Sequence, residues 1–467
     1  MNAVWDIINI TNEVLWSYVM IVALLGSAIY FTLRSRAIQF TMIGEMFRQI
    51  ASSTERHRSG HGKGISPFQA FTVSLASRVG TGNLAGVATA IVVGGPGAVF
   101  WMWLIALLGA ANAFVESTLA QLYKQRSADG FIGGPAYYIM RGLHSRPMAI
   151  TFSVLTIITF GLAFNSVQSN TICAAFENAF NLNHTYVGLA ITIATLIIIY
   201  GGIERIAKVS SVVVPIMAVG YIVLAFAIVI MNIGQIPEVI SLIIKNAFGI
   251  EQAVGGGIGA AAMQGIKRGL FSNEAGMGSA PNAAATAATS HPVKQGLIQT
   301  LGVFADTLVI CTATACIILI SGVGLDQSNG IQLTQEALTL EVGNIGNIFL
   351  ALAIFFFAFS SIFGNYYYGE ANIRFISNSR TILNIYRLCV GAMVMGGAMM
   401  SLNMVWSLAD ITMGLMTLCN LIALALLGGQ AMRLLDDYRA QQRSGKDPIF
   451  RKSNIAEMAS NKDIECW

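Results

Sequence analysis

Two stretches of the chain place polar, charged and glycine residues where an apolar run should continue. The first is Ser77-Arg78-Val79-Gly80-Thr81-Gly82-Asn83, in the middle of the apolar segment from Phe68 to Val93. The second is Arg268-Gly269-Leu270-Phe271-Ser272-Asn273-Glu274-Ala275-Gly276-Met277-Gly278-Ser279-Ala280-Pro281, inside the small-residue run 252–290. Glycine disfavours helix by roughly 1 kcal/mol relative to alanine, and an arginine at mid-membrane costs a few kcal/mol unless paired or facing a cavity. Each stretch is therefore expected to break a membrane-length helix. A break exposes the last carbonyls of one half-helix and the first N–H groups of the next, acceptors for a cation and donors for an anion. Two such breaks could hold the charged ends of a zwitterion beside a metal cation.

The elements that must carry these breaks are membrane helices. Of 467 residues, 55% are hydrophobic and only 11% charged, and the mean hydropathy is +0.65. Soluble domains carry about a quarter charged residues, and a crossing helix needs about 20 apolar residues. The apolar runs are continuous, which excludes a β-barrel with alternating strands. No basic stretch precedes the first run, so no cleaved signal peptide is expected. The six cysteines have no framework spacing, and five lie in apolar runs as small hydrophobes.

Spans are predicted at Leu15 to Leu33, the broken Phe68 to Val93, Ala98 to Leu122, Ala149 to Phe176, Val187 to Tyr200, Val209 to Met231, the broken 252–290, Gln299 to Leu319, Ile345 to Tyr368, Ile382 to Leu402 and Val405 to Leu427, eleven in all. The loop Arg34 to Ser66 has six basic residues (Arg34, Arg36, Arg48, Arg56, Arg58, Lys63) against two acidic ones and should stay in the cytoplasm. The later loops alternate in the same sense, predicting the N-terminus outside and the C-terminus inside. The organisation expected is 1–66 an extra helix and basic loop, 67–231 a first repeat, 232–428 a second repeat, and 429–467 a cytoplasmic tail running from helix into disorder.

Competing readings of the motifs are weaker. Gly80-Thr81-Gly82-Asn83-Leu84-Ala85 fits a loose dinucleotide-binding pattern, but that motif needs a preceding strand and a βαβ unit. Small-residue helix packing accounts for Gly82 and Gly86, but not for Ser77, Arg78, Thr81 and Asn83 in the same turn and a half. His57 and His61 alone make a poor metal site. A channel would need a ring of charges or a carbonyl filter, and an intramembrane enzyme a nucleophile and base; the spans contain neither.

The two motifs resemble those of the sodium:alanine/glycine symporter family, the alanine or glycine:cation symporters, over roughly residues 10 to 430. The resemblance implies a LeuT-like fold: an all-α integral membrane protein of two inverted five-helix repeats with one extra N-terminal helix. It implies Na⁺-coupled uptake of a small neutral amino acid, alanine or glycine, by alternating access across a bacterial-type inner membrane, with no enzymatic activity, organic cofactor or nucleic-acid partner. By the same resemblance the backbone of Gly80, Thr81 and Gly82 would hold the substrate carboxylate. Phe271, Ser272 and Asn273 would lie at the second break, Phe271 as a lid, with Phe164 and Gln168 as pocket wall. Na⁺ would sit between the carbonyls of Ala76 and Val79 and the hydroxyls of Ser360 and Ser361. A second ion would use Asn83 and Asp306, with Ser272.

The buried charges Arg78, Glu116, Lys267, Arg268, Glu274 and Asp306 are expected to neutralise one another and brace the breaks, since an unpaired one costs several kcal/mol. Proton uptake by one of these carboxylates is the alternative coupling.

Overall fold

The protein is described here from a computed structural model, over residue 8 and residues 10–58, 65–127, 130–249, 257–325 and 330–467. Among the described residues eight helices are long and apolar enough to cross a membrane: Ile10–Arg34, Ala98–Leu122, Arg146–Phe180, Arg205–Met231, Pro292–Ser321, Asn344–Ile376, Arg380–Met399 and Leu402–Arg443. The helix His184–Ile199 is shorter, and the two broken segments complete the set. Counting these three as crossings, 8 + 3, would give the eleven expected from hydropathy.

Both predicted breaks are present. The first half-helix, Pro67–Arg78, starts at Ser66, whose side chain accepts from the Gln69 N–H while the Gln69 side chain accepts from the Ser66 N–H. Pro67 at its first turn needs no partner for a missing N–H. The helix stops at Val79, which turns extended at φ −78° and ψ 90°, and regular structure resumes in Gly82–Gly94. The second segment runs as Gly257–Asn273, unwinds, and restarts as Ala280–Ala284 with Pro281 in its first turn. Its unwound part puts Glu274, Gly276 and Gly278 at φ of 57°, 85° and 86°. That left-handed backbone is open to glycine and costly for Glu274.

The outer face, unlike a soluble protein's, is apolar, and polar groups are set within the apolar core. Val212, Ile216, Val219, Val223 and Phe226 are exposed along one helix, while Ser77, Asn83, Glu116, Gln168, Asp306 and Ser361 are buried. The outer surface suits hydrocarbon and the interior holds the polar groups. Small residues let the second broken segment press against Ala98–Leu122: a Cβ on Gly265 would collide with Trp101, and one on Gly269 with Ile105.

Two expectations are corrected. The region Arg34 to Ser66 is no plain loop, since it contains the helix Ile43–Arg58. The tail does not fray from helix into disorder. Leu402–Arg443 runs unbroken for 42 residues, and the segment after it packs back on the protein with Phe450, Met458 and Ile464 buried. Its polar composition conceals apolar anchors spaced too widely to read as an element. The His57 side chain, His61, and the expected start of the second repeat near Gln252 lie outside the described residues.

Candidate substrate and ion site

The two breaks meet. A Cβ on Gly82 would lie 3.0 Å from Ser272 Cα and 3.1 Å from the Phe271 ring, and one on Gly80 would overlap the Ser361 hydroxyl. Only glycine permits this approach. Around the contact the rings of Phe160, Phe164, Phe271 and Trp406 form a chain, with centroids 4.6, 4.3 and 4.6 Å apart in that order. The Phe271 ring is thus fixed between Phe164 and Trp406. Trp406 was not singled out in the sequence, because an aromatic at the edge of a span is ordinary there.

The backbone donors at the first break are aimed at side chains. The Gly80 N–H donates to Asn83 Oδ1 at 2.9 Å, and the Thr81 N–H to Gln168 Oε1 at 3.1 Å. Gln168 therefore reaches the group expected to meet a carboxylate. Among the described residues the Thr81 hydroxyl and Asn273 Nδ2 are buried without hydrogen-bond partners. Asn273 Oδ1 accepts from the Ala275 N–H at 3.0 Å, helping to start the unwound turn.

On the other side of the break, acceptors crowd together. Ser361 Oγ lies 2.8 Å from the Ala76 carbonyl, 3.3 Å from that of Val79 and 2.9 Å from that of Phe357. One hydroxyl hydrogen cannot serve three carbonyls. Oxygen-rich, donor-poor geometry of this kind is what a hard cation requires. Ser360 departs from the expected pairing: its hydroxyl donates to Phe357 O at 2.9 Å within its own helix. Adjacent helical residues point about 100° apart, and among the described residues it is the Ser361 hydroxyl that reaches the carbonyls of the break.

A second polar cluster joins the breaks. Asp306 accepts from Asn83 Nδ2 at 2.7 Å, from the Ser272 hydroxyl at 2.8 Å and from the Thr307 hydroxyl at 2.9 Å. Asn83 and Asp306 are thus brought together as the sequence reading expected, while Ser272 faces Asp306 with its hydroxyl. Cys311 Sγ lies 3.2 Å from Ser272 Oγ.

Two of the expected charges find a partner outside the expected set. Lys267 and Arg268 both pair with Asp410, at 3.2 and 2.7 Å, and Arg268 lies 4.2 Å over the Trp406 ring. Asp410 was missed because it is over 140 residues away, in a span read as plain hydrocarbon. This group lines a cleft of about 570 Å³ with Gln264, Ser401 and Ser407.

Glu116 instead accepts from the N–H groups of Gly276 and Gly278 at 3.2 and 3.0 Å, and from Asn420 at 2.9 Å. Glu274 lies 2.6 Å from both the Ser77 and Ser279 hydroxyls, tying one break to the other. Arg78 donates to the Gln299 carbonyl at 3.2 Å. Among the described residues it makes no ion pair within 4 Å, but its charge acts favourably on Glu116, Glu274 and Asp306 at longer range, as expected.

The sequence pattern of the sodium:alanine symporter family matches residues 1–452. The chain belongs to that family. A Bacillus subtilis protein named as a probable sodium/glutamine symporter, GlnT, is 52% identical over 99% of this chain and 95% of its own. The amino-acid carrier protein AlsT of the same organism is also 52% identical, over 99% and 97%. A sodium/proton-dependent alanine carrier protein of Bacillus sp. PS3 is 38% identical over 84% and 92%. Among solved structures, MhsT in complex with L-phenylalanine superposes with a TM-score of 0.54 at 14% identity, covering 86% of this chain and 94% of that one. The symporter therefore has the LeuT-type fold expected, and it is a secondary transporter of amino acids in a membrane and not an enzyme.

Proposed function

We propose that the symporter couples uptake of a small neutral amino acid, alanine or glycine, to Na⁺ by alternating access in a bacterial-type inner membrane. The observation that carries this reading is the acceptor cluster of Ala76 O, Val79 O and Ser361 Oγ beside the glycine-lined contact of the two breaks. Na⁺ would supply the positive charge those carbonyls call for. The substrate carboxylate would take the Thr81 N–H from Gln168, and the ammonium group would meet carbonyls of the second break.

In this reading the close packing at Gly80 and Gly82 and the ring chain through Phe271 favour a short substrate side chain. GlnT carries glutamine in its name, so competition by glutamine tests that limit. Asn83 and Asp306, with Ser272, form a second cation position in this reading. The Arg268–Asp410 pair closes the outer cleft. The repeats 67–231 and 232–428 move relative to each other, with the N-terminus outside and the tail in the cytoplasm.

Proton coupling is the second reading, and one observation favours it. Ser77 has a single hydroxyl hydrogen but lies 2.6 Å from both Glu274 Oε1 and Asn365 Oδ1. Asn365 Nδ2 is committed to Asn165 Oδ1, and Asn165 Nδ2 to the Gly161 carbonyl. A proton on Glu274 would complete this chain.

Calorimetric titration of the purified symporter with alanine, glycine and glutamine, with and without Na⁺, tests the principal reading. Binding of alanine or glycine only with Na⁺ is expected. Na⁺-independent binding that shifts with pH would favour the second reading, and glutamine binding tighter than alanine would overturn the small-pocket argument.

A further inference from the structure

We propose that residues 444–467 form a strap that holds shut the face into which the second broken segment emerges, and that the strap must lift for this face to open. The inference rests on the alternating-access reading, in which the half-helix Ala280–Ala284 and its exit move.

That exit is gripped from three directions. From the segment just ahead of the first half-helix, the Ile65 carbonyl accepts from the Ala288 N–H at 3.0 Å. From the end of Ala98–Leu122, Gln121 Nε2 donates to the carbonyls of Ala284 and Ala287 at 2.5 and 3.1 Å, and Lys124 Nζ to that of Ala287 at 2.9 Å. From the strap, the Phe450 N–H donates to the Ser290 carbonyl at 2.9 Å, while the Ser290 hydroxyl donates to the Pro448 carbonyl at 3.2 Å. Asp447 pairs with Lys294.

The strap also binds the second grip. Trp467 Nε1 donates to the Gln121 carbonyl at 2.9 Å, and Lys124 Nζ lies 4.7 Å over the Trp467 ring. The Phe450 ring meets those of His291 and Trp467, at 5.5 and 5.7 Å. One aromatic cluster thus spans the exit of the second segment and the end of a neighbouring helix.

Charge complements this seat. Arg141 donates to Glu465 at 2.8 Å and to the Asp463 carbonyl at 3.2 Å. Asp463 itself lines a cleft of about 750 Å³ whose other walls include Arg126, Arg141, His144 and Arg374. The strap brings acids to the basic rim and apolar anchors to the exit. It touches none of the groups assigned to substrate or ion, so its effect is on the closed state.

The test uses the full-length purified protein with Ala287→Cys as a reporter, read against the six native cysteines. Ala287 is fully buried at the exit. Labelling by a hydrophilic maleimide in detergent, where both faces are accessible, is compared between this parent and the same protein carrying Phe450→Ala, Trp467→Ala or Lys294→Gln. Each strap variant is expected to label about fivefold faster or more, the change that follows from losing hydrogen bonds and contacts of ordinary strength. Labelling of all three at the parent rate overturns the strap. If Phe450→Ala or Trp467→Ala proves aggregated by gel filtration, Lys294→Gln, which touches the strap through Asp447, decides on its own. The reading needs no substrate, so failed uptake would overturn the proposed function without bearing on the strap.

Discussion

The two breaks achieve the same unwinding by different means. The second is held by scaffold: three left-handed residues, with Glu116 from one helix and Asn420 from another fixing the freed N–H and carbonyl groups. The first has no left-handed residue, and its freed groups meet Asn83, Gln168 and Ser361, the side chains proposed to exchange with ions and substrate. One break is pinned and the other is held by replaceable partners. On the proposed reading this divides the work: the first break offers the exchangeable groups for carboxylate and Na⁺, and the second adds a rigid wall for the ammonium group and the exit that moves.

Mutations can break that division. Glu116→Leu should have the largest effect, because it strands the buried N–H groups of Gly276 and Gly278, each costing about 1–3 kcal/mol, and removes one of the Asn420 amide's hydrogen bonds. Little folded protein is expected by gel filtration, and an active, stable variant would show that the second break is not pinned. Gly80→Ala should come next, retaining the parent thermal stability within a few degrees while abolishing uptake, since its Cβ would overlap the Ser361 hydroxyl. Near-normal uptake by this variant would remove the first break from the binding role.

Ser361→Ala should leave the protein folded and raise the Na⁺ concentration for half-maximal uptake about tenfold, the equivalent of one charge-assisted contact. Ser360→Ala should shift it less than about twofold, since that hydroxyl bonds to its own helix and such bonds contribute little net stability. Equal shifts in the two variants would restore the paired-hydroxyl site and contradict the geometry.

Glycines and polar residues inside apolar runs announced both breaks, because nothing else explains their cost there. Loop charges were enough to propose a topology. The fold class followed from these features together with the family resemblance. Pairings across the fold were less legible. Lys267 and Arg268 looked like partners for nearby carboxylates, yet Asp410 takes both, and only tertiary packing brings it to them. The choice between Ser360 and Ser361 depends on the rotation of one long helix, which an apolar-all-round sequence does not fix. The strap was hidden for the opposite reason: Phe450, Met458, Ile464 and Trp467 are scattered through polar residues and show no period.

The most direct test of the central claim is accumulation of radiolabelled alanine and glycine in liposomes containing the purified symporter. An inward Na⁺ gradient is imposed first and then replaced by an H⁺ gradient at equal Na⁺. Accumulation above equilibrium with the Na⁺ gradient, and none with H⁺ alone, is the predicted result. Accumulation driven by H⁺ alone would contradict the cation assignment at Ala76, Val79 and Ser361 and turn attention to Glu274.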